Sequence, residues 1–326
     1  MEVPVLRPYR SSDDAPAITE VMNAEWAHDG VAARVTVEQK LAEYAHISEG
    51  FDPQRDLTLA ESDGRVVGYA VRGWYDVNDS HQRAYRVDGA VHPDWRRRGV
   101  GRRLLSQSMR LAAELADGHD TPRARSFASV SHAGQAGDEA LLASAGFAPA
   151  RYFFDMVRPT LDEIPQIPLP DGLEVRPASA ADARAVWQAD VEAFRDHWGG
   201  YDDSEESLRR FLDEPEFDPS LWVVAWDGNE IAGGVINAIY PEENRQLEQQ
   251  RGWLDSVFTR RPWRRRGLAR ALIARSLSVL REAGMTSAVL DVDADNPTGA
   301  LGLYESVGFE VAQRSTSWRK PFEAQQ

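Results

Sequence analysis

Trp95-Arg96-Arg97-Arg98-Gly99-Val100-Gly101 occurs a second time, almost unchanged, as Trp263-Arg264-Arg265-Arg266-Gly267-Leu268-Ala269. Each copy follows an apolar run that predicts a strand, at 85–91 and 253–259, and each begins a segment with helical periodicity. Glycine lets the backbone of such a strand-to-helix turn approach a ligand closely, and the helix start offers unpaired amide donors to an anion. The repeat therefore predicts two phosphate-binding turns in one chain.

The signals around the two turns come in the same order in both halves. A hairpin precedes each turn, with Asp63-Gly64 in the first half and Asp227-Gly228-Asn229 in the second. An amphipathic helix and a buried strand follow each turn, and the second of these strands is predicted at 288–292. Each copy then ends in a Gly-Phe pair that begins a last strand. The chain is therefore expected to be a tandem α/β protein.

A proline-rich segment separates the two halves. Four prolines fall within the twelve residues 159–170, and proline fixes φ and removes an amide donor. We interpret 159–172 as a semi-rigid linker. The domains are then expected at 1–158 and 173–326.

The composition is that of an ordinary globular protein, with 42% hydrophobic and 27% charged residues among 326. No apolar run approaches the roughly 20 residues that span a bilayer, and the first residues lack the pattern of a signal peptide. We therefore expect a cytoplasmic protein without a membrane partner. The absence of cysteine excludes disulfides, thiolate catalysis and zinc–thiolate sites, and the seven histidines show no metal-ligand spacing, so no metal is predicted.

The charge balance bears on nucleic-acid binding. The net charge of -15 repels nucleic acid unless basic residues cluster locally. Arginines do cluster at 260–270, but they are confined to a single turn. No nucleic-acid partner is therefore expected, and salt-sensitive DNA binding would reverse that expectation.

The second turn and the stretch that runs from Asn296 through Tyr304 to Gly308-Phe309 together resemble the GNAT acetyltransferase family. The pattern is Arg-x-x-Gly-x-Gly/Ala followed by Asn-x7-Tyr-x3-Gly-Phe, and the resemblance covers nearly the whole chain as two tandem copies. It implies two GNAT domains, each with a central, mostly antiparallel sheet whose splayed strand pair is flanked by helices. It also implies acetyl-CoA as co-substrate.

The resemblance places the acyl-CoA donor in a cleft between 253–259 and 288–292. Backbone groups of the first strand would pair with the pantetheine arm, Asn296 would help to fix it, and the turn would hold the pyrophosphate. The implied donor-binding residues are Val257, Phe258, Thr259, Arg264, Arg265, Arg266, Gly267, Leu268, Ala269, Arg270, Asn296 and Tyr304. Their counterparts in the first copy are Val91, Arg96, Arg97, Arg98, Gly99, Val100, Gly101 and Arg102.

The chemistry of amine attack on a thioester assigns the catalytic roles that the resemblance implies. Tyr304 would protonate the departing thiolate, because a phenol has a pKa near that of a thiol. An amide near Val257 or Phe258 would stabilise the oxyanion. Asp255 is the expected general base, with Asp291 and Asp293 as weaker candidates.

The two copies differ at the catalytic positions. Aligned on Gly146-Phe147, the first copy has Leu142 where the second has Tyr304, and Gly134 where the second has Asn296. We therefore expect the second domain to catalyse. The first would be structural or would hold CoA without turnover.

The acceptor is expected to be a small molecule with a cationic amine. His197, Trp198 and Tyr201 lie in an aromatic and acidic segment at 197–203 that borders the acceptor in the family, and Asp291 is a further candidate. An ordinary polar loop would carry the same residues equally well.

The tandem plan and the linker are similar to those of the mycothiol synthase family, which acetylates a cysteinyl amine. That family carries a glutamate base where this chain has Trp253. A mycothiol precursor, an aminoglycoside or another amine therefore all stay open as acceptors, as does a non-catalytic acyl-CoA sensor. A monomer or a homodimer is expected.

Overall fold

The computed structural model describes residues 3–77, 80–195, 197–198, 202–295 and 299–322 of the chain. The strands are β1 Val5–Pro8, β2 Leu57–Ser62, β3 Arg65–Val77, β4 Gln82–Val91, β5 Ala124–His132, β6 Ala148–Arg158, β7 Glu174–Arg176, β8 Val223–Asp227, β9 Glu230–Ile239, β10 Arg251–Thr259, β11 Ser287–Asp293 and β12 Glu310–Pro321. The α-helices are α1 Ala15–Asp29, α2 Val37–Ala45, α3 Pro53–Asp56, α4 Val100–Asp117, α5 Ala136–Ser144, α6 Ala183–Phe194, α7 Glu205–Leu212, α8 Pro241–Gln246, α9 Leu268–Glu282 and α10 Ala300–Glu305.

The chain forms two compact units, one of residues 1–152 and 315–326 and one of residues 153–314. The sheet of the first unit has the order β1-β2-β3-β4-β5-β12, and its β4/β5 pair is parallel while its other described pairs are antiparallel. The sheet of the second unit has the order β7-β8-β9-β10-β11-β6, and β10/β11 is its parallel pair. Each unit is thus a mixed, mostly antiparallel sheet with helices, as the repeat predicts.

The units differ from the predicted domains in the strands that they contain. The strand that follows Gly146-Phe147 contributes residues 153–158 to the second unit, where they pair with β11. The last strand of the chain contributes residues 315–321 to the first unit, where they pair with β5. The compact units therefore do not coincide with the predicted division into 1–158 and 173–326.

The proline-rich segment packs within the second unit instead of standing apart from it. Leu161 and Ile164 are buried in the main core cluster of that unit, and Ile167 packs against the same cluster. Arg275 of α9 also donates a 2.9 Å hydrogen bond to the carbonyl of Ile167. These contacts attach the segment to the second unit.

The strongest local signals of the sequence all appear in the structure. The helix predicted after the second turn is α9, and Gly284 beyond it has the left-handed φ of +89° expected of a helix end. Leu268, Leu272, Ile273, Leu277 and Leu280 of this helix are buried against the sheet. Among the described residues, every helix is too short or too polar to cross a lipid bilayer.

Candidate active site

The parallel strand pair of the second unit is hydrogen-bonded over three residues of each strand and then separates. Pairing of β10 with β11 covers Arg251–Trp253 and stops at Trp253 and Val289. From Leu254 to Thr259, β10 pairs only with β9 among the described strands. On their other edge, the backbone N–H and C=O groups of these residues have no strand partner among the described residues. Because such groups require partners, this edge is available to a ligand. In the first unit the pairing of β4 with β5 stops in the same way, at Arg86 and Ala128.

A β-bulge sits in β10 at the residue expected to be the general base. The register with β9 runs from Leu254 opposite Asn237 to Ser256 opposite Ile236, so that Asp255 has no partner. A bulge re-aims a side chain and often lies beside an active site. The corresponding strand β4 pairs with β3 without a register shift from Gln82 to Val91. The bulge therefore distinguishes the second unit from the first.

The phosphate-binding turn has the same backbone in both units. Arg97 and Arg265 both have φ of +61°, a left-handed conformation that few residues other than glycine adopt. Gly99 and Gly267 follow with φ of +79° and +83° and precede the first residues of α4 and α9. A Cβ at either glycine would meet no atom within 4 Å, so the space in front of both turns is open.

The arginines of the second turn divide into an anchor and an exposed set. Arg264 donates to the carbonyl of Thr259 at 3.0 Å and to that of Ala193 at 2.8 Å, and so ties the turn to β10 and α6. The exposed arginines of the turn and the first helical turn are Arg265, Arg266 and Arg270. The side chain of Leu268 is buried, so this residue offers a ligand only its backbone.

The strand beside the turn contains a polar atom without a partner. The hydroxyl oxygen of Thr259 is buried and has no hydrogen-bond partner among the described residues. A pantetheine arm along β10 would bring amide groups to this edge, and the turn has room and positive charge for a pyrophosphate. The residues present therefore fit an acyl-CoA.

Tyr304 lies on α10 with its ring in the core and 7% of its surface exposed. The ring packs edge-on against Phe309 at 6.2 Å, and the hydroxyl makes no hydrogen bond to the described part of the chain. Burial raises the pKa of Tyr304, and the negative charge of Asp291 adds to the rise. The phenol is therefore protonated at neutral pH and able to donate.

Asp291 is exposed on β11 directly opposite Asp155 of β6. Partial removal from water raises the pKa of Asp291 to about 7, and the charges of Asp155 and Asp293 contribute. Asp291 lies two residues beyond Val289, where the pairing with β10 ends, and is thus a second carboxylate near the separated strands that titrates near neutral pH.

Asp255 lines a cavity of about 250 Å³ in the second unit. Its carboxylate is solvent-accessible from the cavity, but protein surrounds it on most sides, and this removal from water raises its pKa to about 7. Tyr240 donates a 3.1 Å hydrogen bond to Oδ2 of Asp255 and opposes the rise. Glu214, Glu216 and Glu243 add to it by charge repulsion.

In the first unit, carboxylates of α1 bind the end of β4 and the first arginine of the turn. Glu25 is 3% exposed and accepts a 3.1 Å hydrogen bond from the backbone N–H of Val91, at the end of β4. Arg96 donates to both carboxylate oxygens of Asp29, at 2.7 and 2.5 Å, and lies 3.3 Å from Glu25. Gln135, beyond β5, also donates to Glu25, at 3.3 Å.

This set of carboxylates includes Asp138, whose oxygen lies within 4.8 Å of those of Glu25 and Asp29. Burial raises the pKa of Glu25 to about 8, and the charge of Asp138 adds to the rise. Ala193 stands in the second unit where the first has Glu25, since both lie 71 residues before the anchoring arginine. The second unit therefore has no carboxylate at that position.

The remaining predicted site residues are placed as follows. The ring of His197 is tilted against that of Phe194, with centroids 4.2 Å apart, and the ring of Trp198 lies 6.0 Å from that of Phe153. Neither lines the cavity at Asp255. Tyr201 and Asn296 lie outside the described residues.

Sequence reasoning did not identify Tyr240, Glu243 or the acidic residues after α7 as part of the site. Tyr240 lies between β9 and α8, and Glu243 accepts from the indole N–H of Trp253 at 3.4 Å. The one signal available in the sequence was the aromatic and acidic composition of 211–218.

Comparison with known proteins identifies one family twice along the chain. The model of the acetyltransferase (GNAT) family matches residues 18–122 and 183–309. The mycothiol acetyltransferase of Salinispora arenicola is 31% identical over 305 residues, which is 91% of this chain and 91% of that protein. The mycothiol acetyltransferase of Geodermatophilus obscurus is 29% identical over 308 residues, which is 93% of each.

Solved structures agree with the tandem architecture. A GCN5-related N-acetyltransferase from Sphaerobacter thermophilus has a TM-score of 0.74 at 27% identity and covers 97% of this chain and 95% of its own. A tandem GNAT protein from the clavulanic acid biosynthesis pathway has a TM-score of 0.69 at 19% identity, with 97% and 98% covered, and so shares the fold.

Proposed function

The chain belongs to the acetyltransferase (GNAT) family, and we propose that its second unit transfers an acetyl group from acetyl-CoA to a primary amine of a small molecule. One observation carries this proposal. The segment from β10 to α9 contains the bulged Asp255, the open strand edge and the phosphate turn in succession. Asp255 precedes Thr259 by four residues, about 13 Å of extended chain, so base and phosphate turn lie at opposite ends of one open edge.

The donor side of the proposal rests on backbone groups and the exposed arginines. Amides at the start of α9 and the side chains of Arg265, Arg266 and Arg270 would hold the pyrophosphate. The edge from Val257 to Thr259 would hold the pantetheine arm. When bound, acetyl-CoA supplies an acetyl group as a thioester. Asn296 would help to fix the arm.

Two side chains move the protons. Asp255 accepts a proton from the substrate ammonium, and the neutral nitrogen then bonds to the acetyl carbon. An N–H near Val257 or Phe258 donates to the oxygen on which negative charge develops. The carbon–sulfur bond breaks, and Tyr304 gives its phenolic proton to the leaving sulfur. The nitrogen loses its second proton as the amide forms, and this proton returns through solvent to the Tyr304 phenolate. Asp291, whose charge acts on Tyr304, is the alternative base.

The first unit has neither proton-transfer group. Val87 lies nine residues before Arg96, where the second unit has Asp255 nine residues before Arg264, and Leu142 replaces Tyr304. Glu25 already engages the N–H of Val91. We therefore propose that the first unit neither catalyses nor holds acyl-CoA along β4, although its turn keeps the phosphate-binding conformation.

A mycothiol precursor is the second candidate acceptor, because several relatives carry the name mycothiol acetyltransferase. The position that carries a glutamate base in the mycothiol synthase family is Trp253 here. Glu243 of α8 lies against the indole N–H of this tryptophan, so a carboxylate reaches the same place from another element.

Thiol release measures the proposed reaction directly. The full chain is incubated with acetyl-CoA and a panel of primary amines that includes the mycothiol precursor, and free CoA is titrated with a thiol reagent. Tyr304→Phe is expected to lower kcat about 100-fold or more while the Kd for CoA stays the same. Binding of CoA without release for any amine would indicate a sensor instead of an enzyme, and unchanged kcat in Tyr304→Phe would refute the role of Tyr304.

A further inference from the structure

The cavity at Asp255 is strongly acidic. Its walls come from α6, from α7 with the segment that follows it, and from β9 and β10. The single guanidinium among its lining residues is that of Arg210. The carboxylates that line it belong to Asp190, Glu214, Glu216, Asp218 and Asp255.

Two of these acids stabilise local structure. Asp190, which is 2% exposed, accepts a hydrogen bond from the hydroxyl of Ser256. Asp218 accepts from the backbone N–H and the hydroxyl of Ser220, at 3.0 and 2.6 Å. The other three acids act on one another, since the charges of Glu214 and Glu216 disfavour ionisation of Asp255. The cavity therefore concentrates negative charge around the proposed base.

The reaction itself removes only part of this negative charge. The attacking nitrogen must be neutral. It loses its positive charge when its proton passes to Asp255, and the same proton neutralises the carboxylate. Glu214 and Glu216 line the same cavity, and their negative charges act on Asp255. A second cationic group on the substrate would be attracted to these carboxylates, because a cavity lined mainly by charges of one sign concentrates ligands of the opposite sign.

The walls between the acids are aromatic. Phe211, Phe217 and Trp222 pack on one another with ring centroids 5.4 to 5.9 Å apart, and Trp187 and Tyr240 also line the cavity. Aromatic faces attract ammonium groups and accommodate methylene chains. The volume of about 250 Å³ lies below the usual range of about 300–1,000 Å³ for ligand pockets. A slender alkyl chain suits this space better than several linked rings.

Asn237 adds a polar atom in the wall next to the bulge. It lies opposite Leu254 on β9, is 1% exposed, and donates from Nδ2 to the carbonyl of Leu221 at 2.7 Å. Its Oδ1 has no hydrogen-bond partner in the described part of the chain. An amide oxygen is a suitable acceptor for an ammonium N–H.

We propose that the acceptor is a linear diamine or polyamine that binds in this cavity, with one amine at Asp255 and a second ammonium group held by Glu214 and Glu216. The inference rests on the proposed acetyl transfer and adds the substrate class to it. It favours alkyl polyamines over aminoglycosides and over the mycothiol precursor, whose acceptor group is a single cysteinyl amine.

Matched substrates test the second charge. The full chain with acetyl-CoA is assayed for thiol release with 1,4-diaminobutane, 1-aminobutane, 4-aminobutan-1-ol, spermidine, kanamycin and the mycothiol precursor. The diamine is expected to exceed 1-aminobutane and the amino alcohol about 10- to 100-fold in kcat/KM, the contribution of one charged hydrogen bond. Raising the ionic strength should reduce this ratio, because salt screens the pairing.

Substitution of the two acids tests their role. In Glu214→Gln/Glu216→Gln the ratio of kcat/KM for the diamine to that for 1-aminobutane is expected to fall about tenfold or more. Glu282→Gln, at the exposed end of α9, is the charge-matched control and should leave the ratio unchanged. Thermal melting and the Kd for CoA establish that each variant is folded.

The outcomes separate this inference from the proposed function. Equal kcat/KM for the diamine and the monoamine, or a preference for kanamycin or the mycothiol precursor, would overturn the polyamine assignment and leave the acetyl transfer standing. A ratio that survives loss of both glutamates would also overturn it. Absence of thiol release with every amine would overturn both.

Discussion

Asp255 is expected to set the lower limb of the pH dependence of the reaction. A general base works only when it is ionised, and the pKa of Asp255 is raised to about 7. The carboxylate is therefore protonated below this pH and ionised above it. At pH 6, one unit below the pKa, about a tenth of the molecules carry the ionised base. We expect kcat/KM at pH 6 to be about a tenth of its plateau, whereas an ordinary aspartate would give no limb there.

The assay is thiol release between pH 5 and 9 at constant ionic strength, with the Kd for CoA measured at each end. The acceptor amine ionises near its own pKa of about 10, so its limb lies well above that of the base. The groups that act most strongly on Asp255 are Tyr240, Glu214, Glu216 and Glu243, and none of them lies on β10.

Asp291 is a rival with the same pKa of about 7. The pH profile of the unmodified chain cannot separate the two carboxylates, but two variants can. Asp255→Asn should lower kcat/KM about 10²- to 10⁴-fold and remove the limb near pH 7. Asp291→Asn should keep that limb. The opposite pattern, with the limb lost only in Asp291→Asn, would refute the assignment of the base.

Tyr240→Phe provides a test of the same base without removing it. The Tyr240 hydroxyl donates to Oδ2 of Asp255 at 3.1 Å and thereby favours the ionised form. Its loss should raise the pKa of Asp255, so the limb should move to higher pH by about one unit. A limb that moves to lower pH, or that does not move, would contradict this arrangement.

Two further predictions concern donor binding and residues 315–321, the part of the last strand that pairs with β5. Gly267→Ala and Gly99→Ala place the same side chain at matched left-handed positions with open space, so both should lose about 1–2 kcal/mol of stability. Only Gly267→Ala should weaken CoA binding in calorimetry, about tenfold, and equal weakening would show that the first unit also binds CoA. Trp318→Ala should lower the free energy of unfolding in urea by about 3–5 kcal/mol, because the indole is 7% exposed among Tyr85, Phe127 and Phe147 and donates to Ser131. Val130→Ala, at a residue 50% exposed on β5, should change it by less than about 0.5 kcal/mol, and a similar change in both would argue against the strand pairing.

The parts of the fold that sequence predicted correctly are those whose signals are local. The Asp63-Gly64 turn joins β2 to β3, and the periodic run after the second turn is α9. A helix period or a two-residue turn is specified within a dozen residues, and tertiary packing did not override it. The repeated order of such signals predicted a tandem α/β protein, and the resemblance of its motifs to the GNAT family implied the fold.

The pairing of residues 153–158 with β11 and of residues 315–321 with β5 could not be predicted in the same way. Residues 153–158 and 315–321 both form strands, but a strand signal specifies extended backbone without specifying a pairing partner. Pairing between Trp318 and Ser129 joins residues that are almost two hundred positions apart. A domain boundary drawn from prolines and a sequence repeat has no access to such a contact.

The candidate site also combines a residue that the sequence predicted with residues that it did not. Asp255 was predicted as the base because the family resemblance implies a carboxylate on the strand before the turn, and Asp255 lies on that strand. Its partner Tyr240 and the acids of the cavity come from separate segments, and only folding brings them to the bulge. The bulge also escaped prediction, since an extra residue in a ladder is defined by the opposite strand.

The conserved backbone of the two turns is a poor guide to which unit acts. Arg97 and Arg265 hold the same strained φ, so the turn alone cannot distinguish a working site from an inactive one. The two units differ in the side chain that lies beside the first arginine of the turn. A buried carboxylate at Glu25 pairs with Arg96 and takes an amide of β4, whereas Ala193 at the same place leaves the arginine to bind backbone carbonyls. Because burying an unpaired carboxylate is costly, Glu25 requires its pairing with Arg96. In the second unit the backbone carbonyls of Thr259 and Ala193 satisfy Arg264 instead, and Ala193 places no carboxylate beside the amide edge of β10, as the proposed donor site there requires.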